Sequence, residues 1–172
     1  MMPCSSPNSQ LQSPVVCSGE FHPNNLALTG VARQSSDYGE QLAFWAVDGD
    51  RRTHFHGCTH TADDDIDPWW LVDLGGVASI SGVMMLNRGD DCADRLTNIS
   101  VTVGVTEDAT RHCGRFDGSA TLAQDVLVQC PPGTQGQYVK ISGGGHVCAG
   151  HDYSPNPILT LCEVEVYGAM FN

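Results

Sequence analysis

The chain is short of cations. Its 172 residues include 8 lysines and arginines against 20 aspartates and glutamates, for a formal charge of -12. That balance argues against nucleic acid as a partner, because polyanion binding needs a basic footprint. No apolar run is long enough to span a bilayer, so membrane insertion is not expected. Met1 to Gly19 lacks the apolar middle of a signal peptide. No C-x2-C pair occurs among the cysteines, which are widely scattered, and this weakens a structural zinc reading. There is no nucleophile elbow to support a Ser-His-Asp hydrolase. Gly143-Gly144-Gly145 is not followed by Lys-Ser/Thr, so it reads as a flexible turn and not as a phosphate cradle. No internal repeat of useful length is present.

What is there points to one folded domain. Hydrophobic residues make up 41% and charged residues 16%, a globular balance with enough chain for a sizeable core. Eight cysteines in a glycine-rich, lysine-poor chain favour disulfides, an oxidising compartment and secretion. Residues 1–24, rich in Ser and Pro, read as an extended arm that a Cys4–Cys17 bridge can close. Residues 25–172 form the domain. Short apolar or alternating runs recur there: Asn25–Leu28, Val31–Gln34, Trp69–Leu74, Ile80–Leu86, Ile99–Val105, Val126–Gln129, Tyr138–Ser142 and Leu159–Tyr167. Gly, Pro, Asn and Asp separate them, the pattern of an all-β sandwich. Trp70, Val72 and Leu74 share one face of their strand, as do Cys162, Val164 and Val166 of theirs. Gln41–Val47 is the only expected helical turn, stopped by Asp48-Gly49.

In so acidic a chain, a stretch holding two arginines is informative. Asn87 to Leu96 reads N-R-G-D-D-C-A-D-R-L and follows the apolar run that ends at Leu86. His54, His56 and His60 lie upstream. A plain reading pairs Arg88 with Asp90 in a salt bridge. Arg88-Gly89-Asp90 also spells an integrin-type tripeptide, which is frequent by chance. Asp48-Gly49-Asp50 can be only a turn, and Asp63, Asp64, Asp65 and Asp67 read as a solvated loop.

Several separated pieces carry a resemblance. They are N-L-A-L at Asn25, A-R-Q-S-S at Ala32, A-V-D-G-D at Ala46, H-G-C-T-H at His56, P-W-W-L-V-D-L at Pro68, N-R-G-D at Asn87, Arg95, and L-C-E-V-E-V at Leu161. Over Asn25 to Gly168 the chain resembles the F-type lectins, or fucolectins. The family pattern is a His, a spacer, Arg-x-Asp, four residues and Arg or Lys; Arg88-Gly89-Asp90 and Arg95 fit it unchanged. Between His60 and Arg88 lie 27 residues, one more than is usual, and the acidic segment Ala62–Asp67 is where the extra residue would sit. The resemblance implies a jelly-roll β-sandwich that binds L-fucose without chemistry and carries a structural calcium ion. It implies His60, Arg88 and Arg95 as the polar sugar ligands, with His60 preferred over His54 and His56 by context and spacing. Arginine's fixed fork of donors suits adjacent hydroxyls, and a histidine can accept with one nitrogen and donate with the other. Phe55 would cover the sugar methyl. Asp90 would orient the arginines.

The same resemblance implies Asp48 and Glu163 as calcium carboxylates, with Trp45, Asp50, Gly57 and Cys162 giving carbonyls. It implies Cys58–Cys162 and Cys113–Cys130 bridges. The chain departs from the family where many members have two adjacent cysteines against the sugar: here stand Asp91 and Cys92. We expect Cys92 to pair with Cys148, clamping the Gly143–Pro157 loop, with His146, His151 and Tyr153, over the site. That loop could then touch a second sugar, and Asp91 could alter the preference. The expected partners are fucosylated glycans. Avidity from a homo-oligomer would offset a shallow site's weak binding, and innate recognition or adhesion are expected roles. The alternatives are a discoidin-like adhesion or lipid-binding module, which usually carries apolar spikes and lacks the His…Arg-x-Asp…Arg set, and a glycosidase, which needs one carboxyl of raised pKa.

Overall fold

The computed structural model describes residues 24–108, 110–146, 148 and 154–171. The expected arm, Asn24 apart, and its Cys4–Cys17 bridge lie outside these residues. Among the described residues seven strands run antiparallel: β1 Val31–Gln34, β2 Trp69–Leu86, β3 Thr97–Gly104, β4 Thr110–Ser119, β5 Asp125–Gln129, β6 Gln135–Ser142 and β7 Glu163–Met170. They form an all-β jelly-roll sandwich whose two layers share β2.

The sequence reads Trp69–Leu74 and Ile80–Leu86 as two strands, but they are one. Gly75 takes φ +79°, and the pairing of β2 with β6 shifts register between Asp73 and Ala78. A side chain at Gly75 would be strained there, so this glycine lets the strand pass from one layer to the other. The first part of β2 pairs with β1 and β6, and β3 and β4 continue that layer. The second part lies between β5 and β7. Trp70, Val72, Val101, Val103, Val139 and Ile141 from the first layer and Val83, Met85, Val126, Val128, Val164 and Val166 from the second belong to one buried core. The expected apolar faces, Trp70, Val72 and Leu74 of β2 and Val164 and Val166 of β7, are therefore inward; Cys162, expected on the second of these faces, precedes β7 and packs instead with Cys58, Met84 and Leu86. Trp70 also donates its indole N–H to the Ala43 carbonyl at 3.0 Å, which satisfies its only polar atom.

Three further expectations need correction. Asn25–Leu28 is not a strand: Leu26–Thr29 is a 3-10 turn, capped by the Asn25 side chain on the Ala27 N–H. The turn at Gln41–Val47 begins later and is a 3-10 turn, Ala43–Val47. β4 was missed, because its polar, glycine-containing sequence lacks alternation. As the last strand of its layer it needs no second apolar neighbour, and charged residues suit such an edge. Its link to β5 is held by the Cys113–Cys130 bridge.

The strand ends set the site. Asn87, just past β2, donates its side-chain amide to the Ala93 and Thr121 carbonyls at 2.9 Å each, closing the loop between β2 and β3. Gly145, past β6, donates its N–H to the Arg95 carbonyl at 2.9 Å. A Cβ at Gly145 would stand 2.5 Å from the Asp94 carbonyl oxygen, so only glycine allows this approach. Residues 53–61, 87–96, 143–146, 148 and 154–158 are thereby gathered at one end of the sandwich.

Candidate functional site

His60 is held by a short ladder that the sequence did not reveal. Leu159–Leu161, read as the start of the last strand, instead faces Thr59–Thr61. The Thr59 and Thr61 N–H groups donate to the Leu161 and Leu159 carbonyls at 2.7 and 3.2 Å. In return, the two threonine hydroxyls accept from the Leu161 and Leu159 N–H groups at 3.1 and 3.0 Å. The Cys58–Cys162 bridge closes the base of this ladder. His60, between the threonines, is 3% exposed.

Its ring is committed to one tautomer. Nδ1 lies 2.7 Å from the Thr61 carbonyl, to which it donates, leaving Nε2 as an acceptor. Arg95 Nη1 donates to that Nε2 at 2.8 Å. Of the two nitrogens expected to serve a hydroxyl, only Nε2 is therefore available. Burial first, and the Arg95 charge with it, push the imidazole pKa down to about 4 against the Thr61 bond that works to raise it. The ring is neutral at physiological pH.

The arginines are positioned by different partners. Arg88 Nε donates to Asp90 Oδ1 at 2.5 Å, and the guanidinium stands 4.8 Å from the Phe55 ring centre. Asp90 Oδ2 also accepts the Phe55 N–H at 3.1 Å. Burial works to raise the Asp90 pKa, but the bonds from Arg88 and Phe55 outweigh it and hold the carboxyl below its usual range. Asp90 thus orients Arg88 but not both arginines as expected, because Arg95 turns to His60. The plain reading of this stretch, a salt bridge between Arg88 and Asp90, is thus present in the structure. Gly89 between them packs on Thr53: its N–H donates to the Thr53 carbonyl at 2.7 Å, and a Cβ would fall 2.4 Å from the Thr53 hydroxyl oxygen. Arg95 is half-buried, and its Nε has no hydrogen-bond partner among the described residues. Burial, then the Arg88 charge, lower its pKa.

Phe55 lies edge-on to His60 with ring centres 5.6 Å apart. A second aromatic, Tyr38, escaped the sequence reading; its ring centre is 4.7 Å from His60, and its N–H donates to the His60 carbonyl at 3.0 Å. No periodicity marks Tyr38, which sits in the polar turn S-S-D-Y-G.

Cys92 is bonded to Cys148. The Asp91 carboxylate accepts the Cys92 N–H at 2.8 Å beside the bridge. Asp91, Cys92 and Cys148 bring their ligand-type atoms within 4.8 Å of one another, but sulfurs joined to each other are not thiolate ligands. His146 lies on the clamped loop with Nδ1 3.3 Å from the Ser154 carbonyl. His151 and Tyr153 are outside the described residues.

Neutral His60 makes a first prediction. Its pKa in the folded chain lies below its ordinary value of 6.5. The unfolded chain therefore takes up a proton, as pH falls from 6.5 towards 4, that the folded chain refuses. Stability is lost across that window, by roughly 3 kcal/mol. Urea unfolding between pH 4 and 7 should show this slope in the parent and a much smaller one in His60→Gln. Equal slopes would mean that the ring titrates normally.

A second cluster lies at the start of β7. Glu163 is 1% exposed, and neither carboxylate oxygen has a hydrogen-bond partner among the described residues. Burial first, then the charges of Asp48 and Glu165, drive its pKa up to about 8, against the Gly49 N–H and the Arg51 charge that work to lower it. Asp48 accepts the Asp50 N–H at 2.8 Å around Gly49, which takes φ +78°. Asp50 spends its carboxylate on Arg52, with an Nε–Oδ2 distance of 2.6 Å. A cleft of about 340 Å³ lined in part by Gly49, Arg51, Glu163 and Glu165 opens beside it. A buried carboxylate poor in hydrogen-bond donors, near a second carboxylate, offers the oxygen ligands that a hard cation takes.

Known proteins resemble this chain closely enough to place it. The sequence family described as NedA-like, galactose-binding domain, of the F5/F8 type C class, matches residues 45–141. Fucolectin-4 of Anguilla japonica is 34% identical over 154 residues, 83% of this chain and 78% of that protein. Among solved structures, an F-lectin (fucolectin) from the serum of the striped bass, Morone saxatilis, superposes with a TM-score of 0.73 at 30% identity. That match covers 87% of this chain and 50% of the bass chain, so this chain spans half of it. The lectin domain of lectinolysin complexed with Lewis B antigen gives a TM-score of 0.67 at 29% identity, over 84% of this chain and 96% of that domain.

Proposed function

We propose, for a chain that belongs to the F-type lectin (fucolectin) family, that the pocket of His60, Arg88 and Arg95 binds terminal L-fucose on glycans and breaks no bond there. The observation that carries this is the meeting of the three side chains: His60 bonded to Arg95, and Arg88 stacked on the Phe55 that packs against His60. Neutral His60 Nε2 can accept a sugar hydroxyl if Arg95 yields that contact. Arg95 and Arg88 then donate to neighbouring oxygens through charge-assisted bonds, which are stronger than neutral ones. Phe55, together with Tyr38, supplies apolar area for the C6 methyl. Asp90 holds Arg88 in place, and Asp91 with the Cys92–Cys148 bridge forms the wall where many relatives have adjacent cysteines.

This pocket is poorly equipped for hydrolysis. A glycosidase needs a carboxyl kept protonated at the bond to be broken. The Asp90 carboxyl is driven the other way. Glu163, the carboxyl that is raised, is buried at the start of β7.

The cluster around Glu163 fits the structural calcium of the family. Asp48 and Glu163 would give carboxylates, with Trp45, Asp50, Gly57 and Cys162 giving main-chain carbonyls. The ion would supply the charge that the orphan carboxylate lacks and would tie the Asp48 turn to β7. Disulfides at Cys58–Cys162, Cys92–Cys148 and Cys113–Cys130 support secretion into an oxidising compartment. Among the described residues no helix is long and apolar enough to cross a membrane. A single shallow pocket binds a monosaccharide weakly, so multivalent presentation, through an oligomer of this chain, would give useful avidity in adhesion or innate recognition.

Titration calorimetry with methyl α-L-fucoside and methyl β-D-galactoside tests the reading. Saturable fucoside binding, with the galactoside at least about ten-fold weaker, corresponds to a difference of about 1.4 kcal/mol. Preference for the galactoside would return the chain to the broader galactose-binding class. Turnover of an aryl fucoside would make it an enzyme.

A further inference from the structure

Asn98-Ile99-Ser100 is the only Asn-x-Ser/Thr triplet, with x other than proline, in the 172 residues. Such a triplet is the acceptor pattern for N-linked oligosaccharide in a secreted chain. Chance also supplies it, so its place in the fold decides its worth. Asn98 stands near the start of β3, where the pairing of β3 with β4 shifts register between Thr97 and Ile99. It takes φ +50°, a left-handed position that asparagine accepts more readily than most residues. That backbone reason accounts for the asparagine. It does not account for the hydroxyl two positions later.

The surroundings of Asn98 suit an acceptor. Ile99 turns into the core, 0% exposed, which leaves Ser100 on the outer face of the layer. Asn98 is exposed and Ser100 half-buried. Asn25, Asn87 and Asn156 spend their side chains on main-chain partners. The Asn98 side chain has no such bond among the described residues. On the β4 side Ser119 pairs with Thr97 and Phe116 with Ile99, so Asp117 and Gly118, both exposed, lie opposite Asn98. Past the end of β6, Gly143 packs on its main chain: a Cβ there would fall 2.4 Å from the Asn98 carbonyl oxygen. Glycine therefore borders Asn98 on both sides, and a branched group attached to it has room to leave the surface.

We propose that Asn98 is an N-glycosylation site, so that the domain itself carries an oligosaccharide on the outer face of the layer holding β6, β3 and β4. The attachment lies at the pocket end of the sandwich, three residues beyond Arg95. The donor is an oligosaccharide linked to a polyprenyl pyrophosphate. Asn98 Nδ2 bonds to C1 of the first sugar, and the bond from C1 to the pyrophosphate oxygen breaks. The polyprenyl pyrophosphate leaves with that electron pair, and the amide gives up one proton. The Ser100 hydroxyl is the group by which the transferring enzyme recognises the acceptor. Three disulfides place the folded chain in the same kind of compartment as this transfer. The inference rests on the secretion reading and is independent of which sugar the pocket takes.

The test uses the full chain, exported from eukaryotic cells behind a cleavable leader, with Asn98→Gln and Ser100→Ala made alongside. Intact mass is measured before and after treatment with a peptide N-glycosidase, which converts the acceptor asparagine to aspartate. The parent should carry the mass of one oligosaccharide, lose it on treatment, and show the conversion in the peptide that holds position 98. Both variants should be exported without that mass. Ser100→Ala keeps asparagine at the left-handed position, so it decides the matter if Asn98→Gln folds poorly. A parent that is exported with its disulfides closed and no oligosaccharide overturns the proposal. So does an oligosaccharide that resists the glycosidase or persists in Ser100→Ala, since it would then be attached elsewhere. A parent retained in the cells, while an unrelated control behind the same leader is exported, would instead remove the secretion reading, and this inference with it.

Discussion

Arg95→Ala is expected to abolish retention on immobilised L-fucose while the domain stays folded. Charge-assisted hydrogen bonds are worth roughly 1.5–3 kcal/mol each, so losing even one lowers affinity about ten- to hundred-fold. From the weak starting affinity of a single sugar ring, that is loss of measurable binding. The effect should exceed that of Arg88→Ala because Arg95 also sets His60. Its Nη1 is the donor on His60 Nε2, and without it a buried acceptor has no protein partner. Arg88→Ala leaves Asp90 still bonded to the Phe55 N–H, so less of the pocket is disturbed. The fold should tolerate either change. The bond that anchors the 143–158 loop here uses the Arg95 main-chain carbonyl, and Asn87 closes the loop through main-chain oxygens. Circular dichroism with resin binding reads both halves of this expectation. Normal retention of both variants would mean that the sugar sits elsewhere.

The side chains that make this pocket were legible because their chemistry is rare in the chain. Two arginines in a sequence with so few cations stand out, and the spacing to His60 ties them to one family pattern. The strands of the core were legible for a different reason: Trp70, Val72 and Leu74, or Val164 and Val166, alternate as a one-sided strand must. What stayed hidden depended on tertiary context. The Thr59 and Thr61 hydroxyls complete a ladder with Leu159–Leu161 that no local pattern announces. Tyr38 belongs to the pocket only because its main chain bonds to His60. β4 carries too much polarity to look like a strand, since at the edge of its layer it buries little. The acidic segment 62–67 looked like solvated loop from composition, but Ser35 and Ser36 turn it into a fixed wall.

Glu163→Gln should invert its effect on stability according to whether calcium is present. In a chelator, Glu163 is a burden on the fold. Its folded pKa, about 8, lies above the ordinary 4.5, so stability is lost as pH rises from 4.5 through 8. At pH 7.5 that loss is on the order of a few kcal/mol, and glutamine, of similar shape and without charge, removes it. The variant should therefore melt above the parent in chelator. With millimolar calcium the order should reverse. The parent gains RT ln(1 + [Ca]/Kd), about 4 kcal/mol at a thousand-fold excess over Kd, or roughly 10 °C for a domain of this size. The variant lacks a carboxylate ligand and should gain little. Asp48→Asn should also lose most of the calcium response, but with a smaller rise in chelator, because Asp48 is exposed whereas Glu163 is buried. Thermal melts of the three proteins, each in calcium and in chelator, would show the crossing. Parallel shifts, or a parent indifferent to calcium, would leave the buried carboxylate without its cation and remove the metal assignment. The sugar pocket would be untouched, because none of its polar contacts passes through Glu163.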